Sequence, residues 1–559
     1  MKKNILVIFI FLAALFLRVY KLGQYPVGFL WDESALGYNA YSILKTGRDE
    51  YGKFFPIVFK SFGDYKPGLY VYLTVPSVFL FGLNEFAVRL PSAIFGSLTI
   101  VFLYFLLEEL RKFKGISVTE ASYLSVLAPI LLMISPWHLN FSRGAWELNV
   151  MILEIILGFF LLFRFLNSEK KSLIFLSAFS FGLTFFTYQS AKLLTPVLLL
   201  GFLIFFRKEV KTVGFRLKAE FAAMILVGFF IINLITILGN MGGRLKVMSL
   251  FSYPRSEEET NLILEQDYQS QVWWRIFHSS PIFFTRSVLG RYFNYFSPAF
   301  LFFKGDWSNA RNGVIYQGVI YYLDLIFLLL GFWAIFSRQR SSWENLMIYW
   351  LVVAPIPAAL TRDSISSVRA FSLVIPLVFF IAVGLNYFFS FFRYFKKTLK
   401  FLLFFVLCVS YFFLFVRFLD FYFIHESKSN SQDRLYGYRE AVKDLAFLGK
   451  GKNKIVFTAK YGQPYIFYLF YTKYDPRKYQ EQAKLKESPV GDVGEVEKID
   501  NIEFRKIYWP ADRGIENSLF IGDEFDLPLQ DITDQRGILF IKEIKFLDGK
   551  TAYRIAETE

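Results

Sequence analysis

The chain alternates between long apolar runs and short segments rich in lysine and arginine. A helix that crosses the hydrocarbon core of a bilayer needs about 20 largely apolar residues. Runs near that length occur at 4–20, 88–109, 121–137, 147–166, 172–188, 190–206, 219–239, 318–336, 343–360, 370–390 and 399–418. The pattern predicts an α-helical polytopic membrane protein with about 11 transmembrane helices.

The lysine and arginine residues of the short loops predict how these spans are oriented, because cytoplasmic loops carry an excess of both. If the N-terminus is cytoplasmic, each of the cytoplasmic segments carries two or more cations. These segments are 111–114, 170–171, 207–218, 338–340 and 393–400. The assignment leaves three larger pieces outside the cytoplasm, at about 21–87, about 240–316 and from about 420 onwards.

One further apolar stretch, 69–83, is short and contains Pro76. Counting it as a span would reverse the orientation of every later loop and would place the cationic segments outside. We therefore expect it to form a helix that lies in, or dips into, the outer interface of the membrane.

The composition suits a lipid environment. Of the 559 residues, 55% are hydrophobic and 19% are charged, whereas soluble domains have roughly 45–50% and about 25%. The net charge of +15 lies largely in the short loops, so it indicates topology rather than nucleic-acid binding.

The single cysteine, Cys408, allows no intramolecular disulfide, and the 3 histidines argue against a Cys/His zinc site. No small-residue cleavage site follows the first apolar run, which predicts an uncleaved first span.

The composition changes sharply near residue 420, where charged and mixed sequence begins. Strand-like stretches at 454–458 and 537–541 are separated by turn signals. The sequence therefore predicts two domains. A transmembrane domain covers 1–420, and a small extracytoplasmic α/β domain covers 421–559.

Candidate chemistry begins with two adjacent carboxylates, Asp32 and Glu33, in the first outside loop. A solvated pair of no function is the simpler interpretation. However, aromatic residues surround the pair, and burial among them would raise a carboxylate pKa and make it a usable proton acceptor.

A second group is Asp64-Tyr65-Lys66-Pro67-Gly68, at the start of the interfacial stretch. Lys66 could be a lysine that anchors a helix end while its charge reaches water. It could equally hold a lipid phosphate at headgroup depth, with Pro67 and Gly68 setting a tight bend. Asp64 and Tyr65 are then possible substrate-binding residues.

The remaining candidates lie in other outside loops and carry chemistry suited to a phosphate or a sugar. An arginine near a membrane surface presents a planar fork that matches phosphate. Arg143 and Arg369 are predicted to bind the donor phosphate, although Arg143 and Glu147 are four residues apart and could form a structural ion pair. The possible substrate-binding residues are His138, Glu147, Tyr188, Lys192, Arg244 and Arg362.

All of these groups fall on one side of the membrane in a topology derived only from lysine and arginine. The spans contain few ionisable residues, Glu154 and Asp324 being exceptions. A transporter would place such groups near the midplane on broken helices. The pattern therefore favours an enzyme that works at the outer surface.

Three segments resemble bacterial family 39 glycosyltransferases of the GT-C class, which includes protein O-mannosyltransferases and the aminoarabinose transferase of lipid A. The segments are Asp32-Glu33, Lys66-Pro67-Gly68-Leu69 and Glu85-Phe86-Ala87-Val88-Arg89-Leu90-Pro91-Ser92, in the family's order. The resemblance covers about residues 1–110 well and the other spans more loosely. It implies a hexosyl- or pentosyltransferase that moves a sugar from a polyprenyl phosphate, usually undecaprenyl phosphate, to an acceptor outside the cytoplasm.

The resemblance also implies roles for single residues. Asp32 would be the catalytic base, Glu33 would support it or bind sugar, and Lys66 would contact the lipid phosphate. The acceptor would be a lipid, a glycan or a protein. The family often has Lys-Pro-Pro where this chain has Lys66-Pro67-Gly68, and the C-terminal domain matches no template. Metal dependence varies within the class, so a divalent metal ion is possible and no cofactor is certain.

Three other functions fit parts of the pattern. A ligase or polymerase of lipid-linked glycans would share the outside polar cluster but would usually show larger arginine-rich outside loops. A transporter or flippase would show an internal repeat with paired broken helices. A receptor-like protein would leave Asp32 and Lys66 unexplained.

Overall fold

The computed structural model describes residues 2–112, 118–239, 247–391, 396–487 and 493–559. Most of the chain is helical. The longer helices are α1 (Lys2–Val19), α2 (Trp31–Thr46), α3 (Leu69–Phe81), α4 (Glu85–Lys112), α5 (Val118–Ile134), α6 (Leu148–Ser168), α7 (Lys171–Thr187), α8 (Ala191–Phe205), α9 (Phe215–Leu238), α10 (Glu257–Gln266), α11 (Ser280–Asn294), α12 (Asp324–Phe336), α13 (Ser342–Val353), α14 (Val374–Phe391), α15 (Lys397–Asp420), α16 (Tyr438–Leu448) and α17 (Pro464–Thr472).

The strands are β1 (Val58–Ser61), β2 (Asp64–Pro67), β3 (Lys454–Phe457), β4 (Leu485–Lys486), β5 (Glu495–Val496), β6 (Lys498–Ile499), β7 (Ile502–Phe504), β8 (Ser518–Gly522), β9 (Ile538–Lys545) and β10 (Thr551–Thr558). Short helical turns join the longer elements, among them Pro136–Phe141 and Pro476–Gln482. The strands predicted at 454–458 and 537–541 correspond to β3 and β9.

Each apolar run predicted to span the membrane coincides with a helix. Among the described residues, 5 helices are long and apolar enough to cross by length and composition alone. They are Glu85–Lys112, Leu148–Ser168, Phe215–Leu238, Phe371–Phe391 and Lys397–Ser429. The run predicted at 318–336 is shorter as a helix, because α12 begins only at Asp324. The protein is a multi-pass membrane protein, and the number of crossings stays a prediction.

The chain forms two compact units. The first comprises residues 1–11, 98–140 and 151–418. Within it, α12 and α14 approach so closely that a Cβ on Gly331 would lie 2.0 Å from the Phe380 carbonyl oxygen, and one on Gly384 would lie 1.8 Å from that of Phe327. Small residues let apolar helices pack backbone to backbone, which is how membrane helices gain contact without a hydrophobic driving force.

The second unit comprises residues 12–97, 141–150 and 419–559. Its centre is a 6-stranded sheet of order β6-β7-β3-β8-β10-β9. Strand β3 runs parallel to both β7 and β8, whereas β8, β10 and β9 are antiparallel neighbours. This is the small C-terminal α/β sheet region that the sequence predicts.

The core of this unit is built from both the first loop and the C-terminal segment. Phe29, just before α2, packs on Phe470 of α17 with ring centroids 4.8 Å apart. Tyr38 of α2 is fully buried, and its hydroxyl donates a hydrogen bond of 3.1 Å to the carbonyl oxygen of Tyr474. Helix α2 is therefore held by residues that follow it by more than 400 positions.

The stretch 69–83 forms one short helix, α3, of 13 residues. At 1.5 Å per residue it is about 20 Å long, shorter than the ~30 Å hydrocarbon core. This length agrees with the expectation that the stretch does not span the bilayer.

Candidate active site around Asp32 and Lys66

The centre of the candidate site is an ion pair between Asp32 and Lys66, which are 34 residues apart in the chain. The Lys66 ammonium donates a hydrogen bond to Oδ1 of Asp32. The side chain of Asp32 is 43% exposed and that of Lys66 is 17% exposed. The carboxylate is thus open to solvent on one side while the cation behind it is largely enclosed.

Asp32 owes its position to the first turn of α2. Glu33 accepts a hydrogen bond from the backbone N–H of Leu30 at 3.2 Å, which satisfies one of the free donors at the helix start. At the other end, Gly47 adopts a φ of 69° and its N–H bonds the Ile43 carbonyl, so the helix stops there. The helix start therefore directs Glu33 inwards and leaves Asp32 at the surface.

Lys66 is delivered by the hairpin formed by β1 and β2. The loop residues Phe62 and Gly63 have φ values of 56° and 85°, the backbone of a two-residue turn that matches strand twist. Lys66 pairs with Phe59 across the hairpin. A short rigid hairpin fixes where the lysine emerges.

The residue after the lysine-proline pair is glycine for a steric reason. A Cβ on Gly68 would lie 2.5 Å from the Phe59 ring and 2.8 Å from the Ile57 carbonyl oxygen. The Gly68 N–H also donates to that oxygen at 2.9 Å, a bond that proline could not make. The departure from Lys-Pro-Pro thus goes with a hairpin that closes against Gly68.

Glu33 lies in a different environment from its neighbour. Its carboxylate accepts hydrogen bonds from Arg89 Nε at 2.9 Å and Nη2 at 3.0 Å, and from the Ala145 N–H at 2.9 Å. Burial alone would raise the pKa of Glu33, but Arg89 and the backbone donors more than offset this and hold the pKa below its usual value. Glu33 is a buried, ionised structural group.

Arg89 extends this network into the backbone. Its guanidinium donates to the carbonyl oxygens of Leu22 at 3.2 Å, Pro26 at 2.9 Å and Gly28 at 2.8 Å. One arginine therefore fixes the segment between α1 and α2 as well as Glu33. Sequence reasoning did not select Arg89, although it lies in the Glu85–Ser92 motif that carries the family resemblance.

Glu147 is a third charged group close to the ion pair, and it is half-buried. Burial raises the pKa of Glu147, the Lys66 charge lowers it, and the Asp32 charge raises it further. Glu147 therefore lies close enough to Asp32 and Lys66 for both charges to affect its carboxyl group, and its role in binding substrate stays a prediction.

Arg143 is fully enclosed near the end of α1. Its guanidinium donates to the carbonyl oxygens of Leu17 and Tyr20, both at 2.7 Å, and its Nε donates to the Tyr422 hydroxyl at 3.2 Å. Cationic side chains near a helix C-terminus satisfy its last carbonyls. These contacts give Arg143 a structural role, and its binding of donor phosphate stays a prediction.

Asp64 and Tyr65 are half-buried residues of β2. The Asp64 carboxylate accepts a hydrogen bond of 2.8 Å from the backbone N–H of Tyr65. Tyr65 pairs with Lys60 across the hairpin, one position from Lys66.

The other predicted residues belong to the first unit. His138 is buried and stacks on Phe371, with ring centroids 5.8 Å apart. Tyr188 and Lys192 are half-buried near the junction of α7 and α8. Arg244 lies outside the described residues.

Arg362 and Arg369 flank Asp363 in the same unit. Arg369 forms an ion pair with Asp363 and donates to the Thr361 hydroxyl at 3.0 Å. Arg362 donates to the Tyr253 hydroxyl at 3.0 Å and lies 3.9 Å from the Asp363 carboxylate. Two cations around one carboxylate leave a positive excess that suits an anion, and phosphate binding by Arg369 stays a prediction.

Among the described residues, no group of three or more His, Cys, Asp and Glu side chains is arranged to hold a metal ion. The possible divalent metal ion stays a prediction.

Residues 65–232 match the family described as dolichyl-phosphate-mannose-protein mannosyltransferase. No curated protein sequence matches the chain significantly. The structures of ArnT from Cupriavidus metallidurans, in the apo state and bound to undecaprenyl phosphate, each give a TM-score of 0.52 at 11% identity. The alignments cover 100% and 99% of this chain and 98% of the ArnT chain.

The archaeal oligosaccharyltransferase AglB from Archaeoglobus fulgidus is also similar, with a TM-score of 0.46 and 12% identity over 83% of this chain. The match covers 63% of the AglB chain. The likeness to ArnT over the whole chain and the family match over 65–232 confirm the predicted resemblance. The protein is a multi-pass membrane protein with the GT-C glycosyltransferase fold.

Proposed function

We propose that the protein transfers a sugar from a polyprenyl-phosphate carrier to an acceptor hydroxyl. The observation that carries this proposal is the Asp32–Lys66 pair, an accessible carboxylate beside an enclosed cation. The dolichyl-phosphate-mannose family match supports a lipid-linked donor, and the ArnT structure with undecaprenyl phosphate supports that carrier.

The pair is suited to both parts of the reaction, which are the attack by the acceptor and the departure of the polyprenyl phosphate. Asp32 accepts the proton of the acceptor as the acceptor atom bonds to the anomeric carbon of the sugar. The bond between that carbon and the phosphate oxygen breaks, and the electron pair leaves with the polyprenyl phosphate. Negative charge on the departing phosphate therefore grows as the reaction proceeds.

Lys66 stabilises that growing charge. A lysine ammonium has three N–H donors, so Lys66 can bond Asp32 and a phosphate oxygen at the same time. A fixed cation in an enclosed position acts more strongly than one in water, because the surroundings screen it less. Glu147 adds a second carboxylate near Lys66, and this carboxylate can accept hydrogen bonds from the hydroxyls of the sugar.

Glu33 has a positioning role in this proposal rather than a catalytic one. Its carboxylate is fully engaged by Arg89, Ala145 and Leu30, so it fixes the turn that presents Asp32. Arg143 and Arg369 remain candidates for the donor phosphate.

The test is donor turnover by the purified protein in detergent with radiolabelled undecaprenyl-phosphate sugars and an extract of envelope lipids, glycans and proteins. Asp32→Asn keeps the shape of the side chain and removes the base, and we expect a loss of transfer of about 100-fold or more. Asp433→Asn, an exposed aspartate between α15 and α16, is the matched control and should retain activity. Normal turnover in Asp32→Asn would refute the assignment of the base.

We also propose that the protein resides in the inner or plasma membrane. The N-terminus is cytoplasmic in this arrangement, and the transfer and the domain at 421–559 are extracytoplasmic. Lysine and arginine in the short loops support the arrangement. In a Cys408→Ser background, Ser308→Cys should react with an impermeant thiol reagent in intact cells, and Lys170→Cys should react only after lysis. The reverse pattern would mean that 69–83 crosses the membrane.

A further inference from the structure

The C-terminal sheet contains a cavity of about 920 Å³ that the reaction at Asp32 does not use directly. Much of its wall comes from the loops that follow three strands. Ala459 and Lys460 follow β3, Arg505 and Lys506 follow β7, and Asp523, Phe525 and Asp526 follow β8. Its volume lies in the range of about 300–1,000 Å³ that small-molecule sites occupy.

The position of this cavity in the sheet is one at which ligands bind. Because β3 is parallel to β7 on one side and to β8 on the other, the carboxyl ends of all three strands meet at one edge. The chain forms β7 on one side of β3 and then β8 on the other, and ligands in open α/β sheets bind outside the carboxyl ends of the strands where the order reverses in this way.

Two features of the wall point to a ligand. Asp526 is 4% exposed, and its Oδ2 is buried with no hydrogen-bond partner among the described residues. Buried carboxylate oxygens are ordinarily hydrogen-bonded, so this one is suited to a donor brought by a ligand. Beside it, Phe525 lines the cavity and is 75% exposed, so its ring is available to contact a ligand.

The charges of the wall indicate the kind of ligand. Lys460, Lys498, Arg505 and Lys506 face Glu495, Glu497, Glu503, Asp523 and Asp526, so the two signs nearly balance. The Lys460 ammonium pairs with Asp523 and also lies 4.3 Å from the centre of the Phe525 ring. A phosphate would need an excess of cations. Paired donors and acceptors beside an exposed aromatic ring suit a neutral polyhydroxylated ring.

The cavity is connected to both halves of the candidate active site. Lys460 is two residues from Gly462, so their Cα atoms are at most about 7 Å apart. A Cβ on Gly462 would lie 3.1 Å from the indole of Trp31, the residue before Asp32. The loop after β3 thus lines the cavity at one end and supports the start of α2 at the other.

A second connection runs through Gly494, next to Glu495 of the cavity wall. The Gly494 N–H donates to the Phe62 carbonyl oxygen at 2.6 Å, at the turn of the hairpin that carries Lys66. Gln463 donates to the Gly494 carbonyl oxygen at 2.8 Å. The cavity wall therefore contacts the hairpin of Lys66 as well as the helix of Asp32.

We propose that this cavity is a subsite for neutral carbohydrate in the acceptor, with Phe525 as the stacking platform and Asp526 as a hydrogen-bond acceptor for sugar hydroxyls. The proposal rests on the transferase function above, and it narrows the acceptor to a molecule that carries a glycan.

The experiment measures saccharide binding to the full-length protein by saturation-transfer difference NMR, in a detergent that contains no sugar. The probes are neutral trisaccharides of mannose, glucose and N-acetylglucosamine at millimolar concentration, with trigalacturonate as the acidic comparison. We expect a neutral trisaccharide to bind and trigalacturonate to bind more weakly.

The variants locate the site. Phe525→Ala should abolish the signal, and Phe447→Ala is the matched control, because Phe447 is also 75% exposed and lies on α16. Asp526→Asn, checked for folding by its Tm, should reduce binding by about tenfold, the effect of losing one charged hydrogen bond. Binding that survives Phe525→Ala, or no binding by any neutral probe, would overturn the proposal.

The Asp32→Asn protein separates this inference from the proposed function. It should bind the trisaccharide as the wild type does while failing to transfer sugar. Binding without any donor turnover by wild type would refute the transferase and leave a carbohydrate site. Turnover with no saccharide binding would refute the subsite alone.

Discussion

Glu33 and Arg89, 56 residues apart in the chain, form a buried ion pair with hydrogen bonds of 2.9 and 3.0 Å. The neighbour of Glu33, Asp32, points to an accessible surface and pairs with Lys66. Two adjacent carboxylates thus have different surroundings, because one contacts a buried arginine and the other an ion-pair partner at an accessible surface.

Substitution of Glu33 should lower the free energy of unfolding, and not only the catalytic activity. Glu33→Gln leaves Arg89 as an uncompensated buried charge, and we expect a loss of about 3–5 kcal/mol in the free energy of unfolding. Thermal unfolding in detergent, followed by intrinsic fluorescence, measures the change. Glu497→Gln removes one partner of an exposed pair with Lys486 and should leave the Tm close to that of wild type. Equal Tm values for wild type and Glu33→Gln would contradict the structural role.

Substitution of Lys66 should lower the efficiency with which the protein uses the lipid donor. Lys66→Ala removes the cation that we propose stabilises the departing phosphate, and we expect kcat/KM for the lipid donor to fall by about 100-fold or more. Lys66→Arg keeps the charge and should recover part of the activity. Lys60→Ala is the control, since Lys60 lies on the same hairpin and pairs with Glu487 at 2.6 Å. Unchanged donor kinetics in Lys66→Ala would remove the residue from the site.

Gly68 should not tolerate the proline that the family often carries there. Gly68→Pro loses the hydrogen bond to Ile57 and places a ring against Phe59, so we expect a loss of about 1–3 kcal/mol and reduced donor turnover. Gly214→Pro is the control, because Gly214 has a φ of −58° and no atom within 4 Å of its Cβ position. Equal Tm values for the two variants would show that the hairpin adapts.

Glu50 should make stability depend on pH. Burial raises the pKa of Glu50 from 4.5 to about 8, with hydrogen bonds from Asn39 opposing the shift and the Asp49 charge adding to it. The folded state therefore binds this proton more tightly than the unfolded state. The resulting stability is fully present below about pH 4.5 and is lost as the pH rises to about 8.

Glu50→Gln cannot ionise, so its Tm should fall less than that of wild type between those two pH values. Above pH 8 the variant should be the more stable protein, by on the order of a few kcal/mol. Glu440→Gln, an exposed change on α16, serves as the control and should follow wild type. Parallel Tm profiles for wild type and Glu50→Gln would contradict the assigned pKa.

The sequence by itself determined the helices, the change of composition near residue 420 and the three motifs that carry the resemblance. These features depend on neighbouring residues, because the length of an apolar run, helical periodicity and turn chemistry are local properties. Lys66 was identifiable by the same means, since its motif is a continuous stretch of chain.

Only the tertiary structure decided which residues meet. No spacing in the chain indicates that Arg89 binds Glu33, that Arg143 is enclosed by the end of α1, or that Phe29 packs on Phe470. Such contacts join positions tens to hundreds of residues apart, and they form because burying charged and aromatic groups requires a partner wherever the folded chain supplies one. Folding therefore made a structural anchor of Glu33 and left the Asp32 carboxylate accessible.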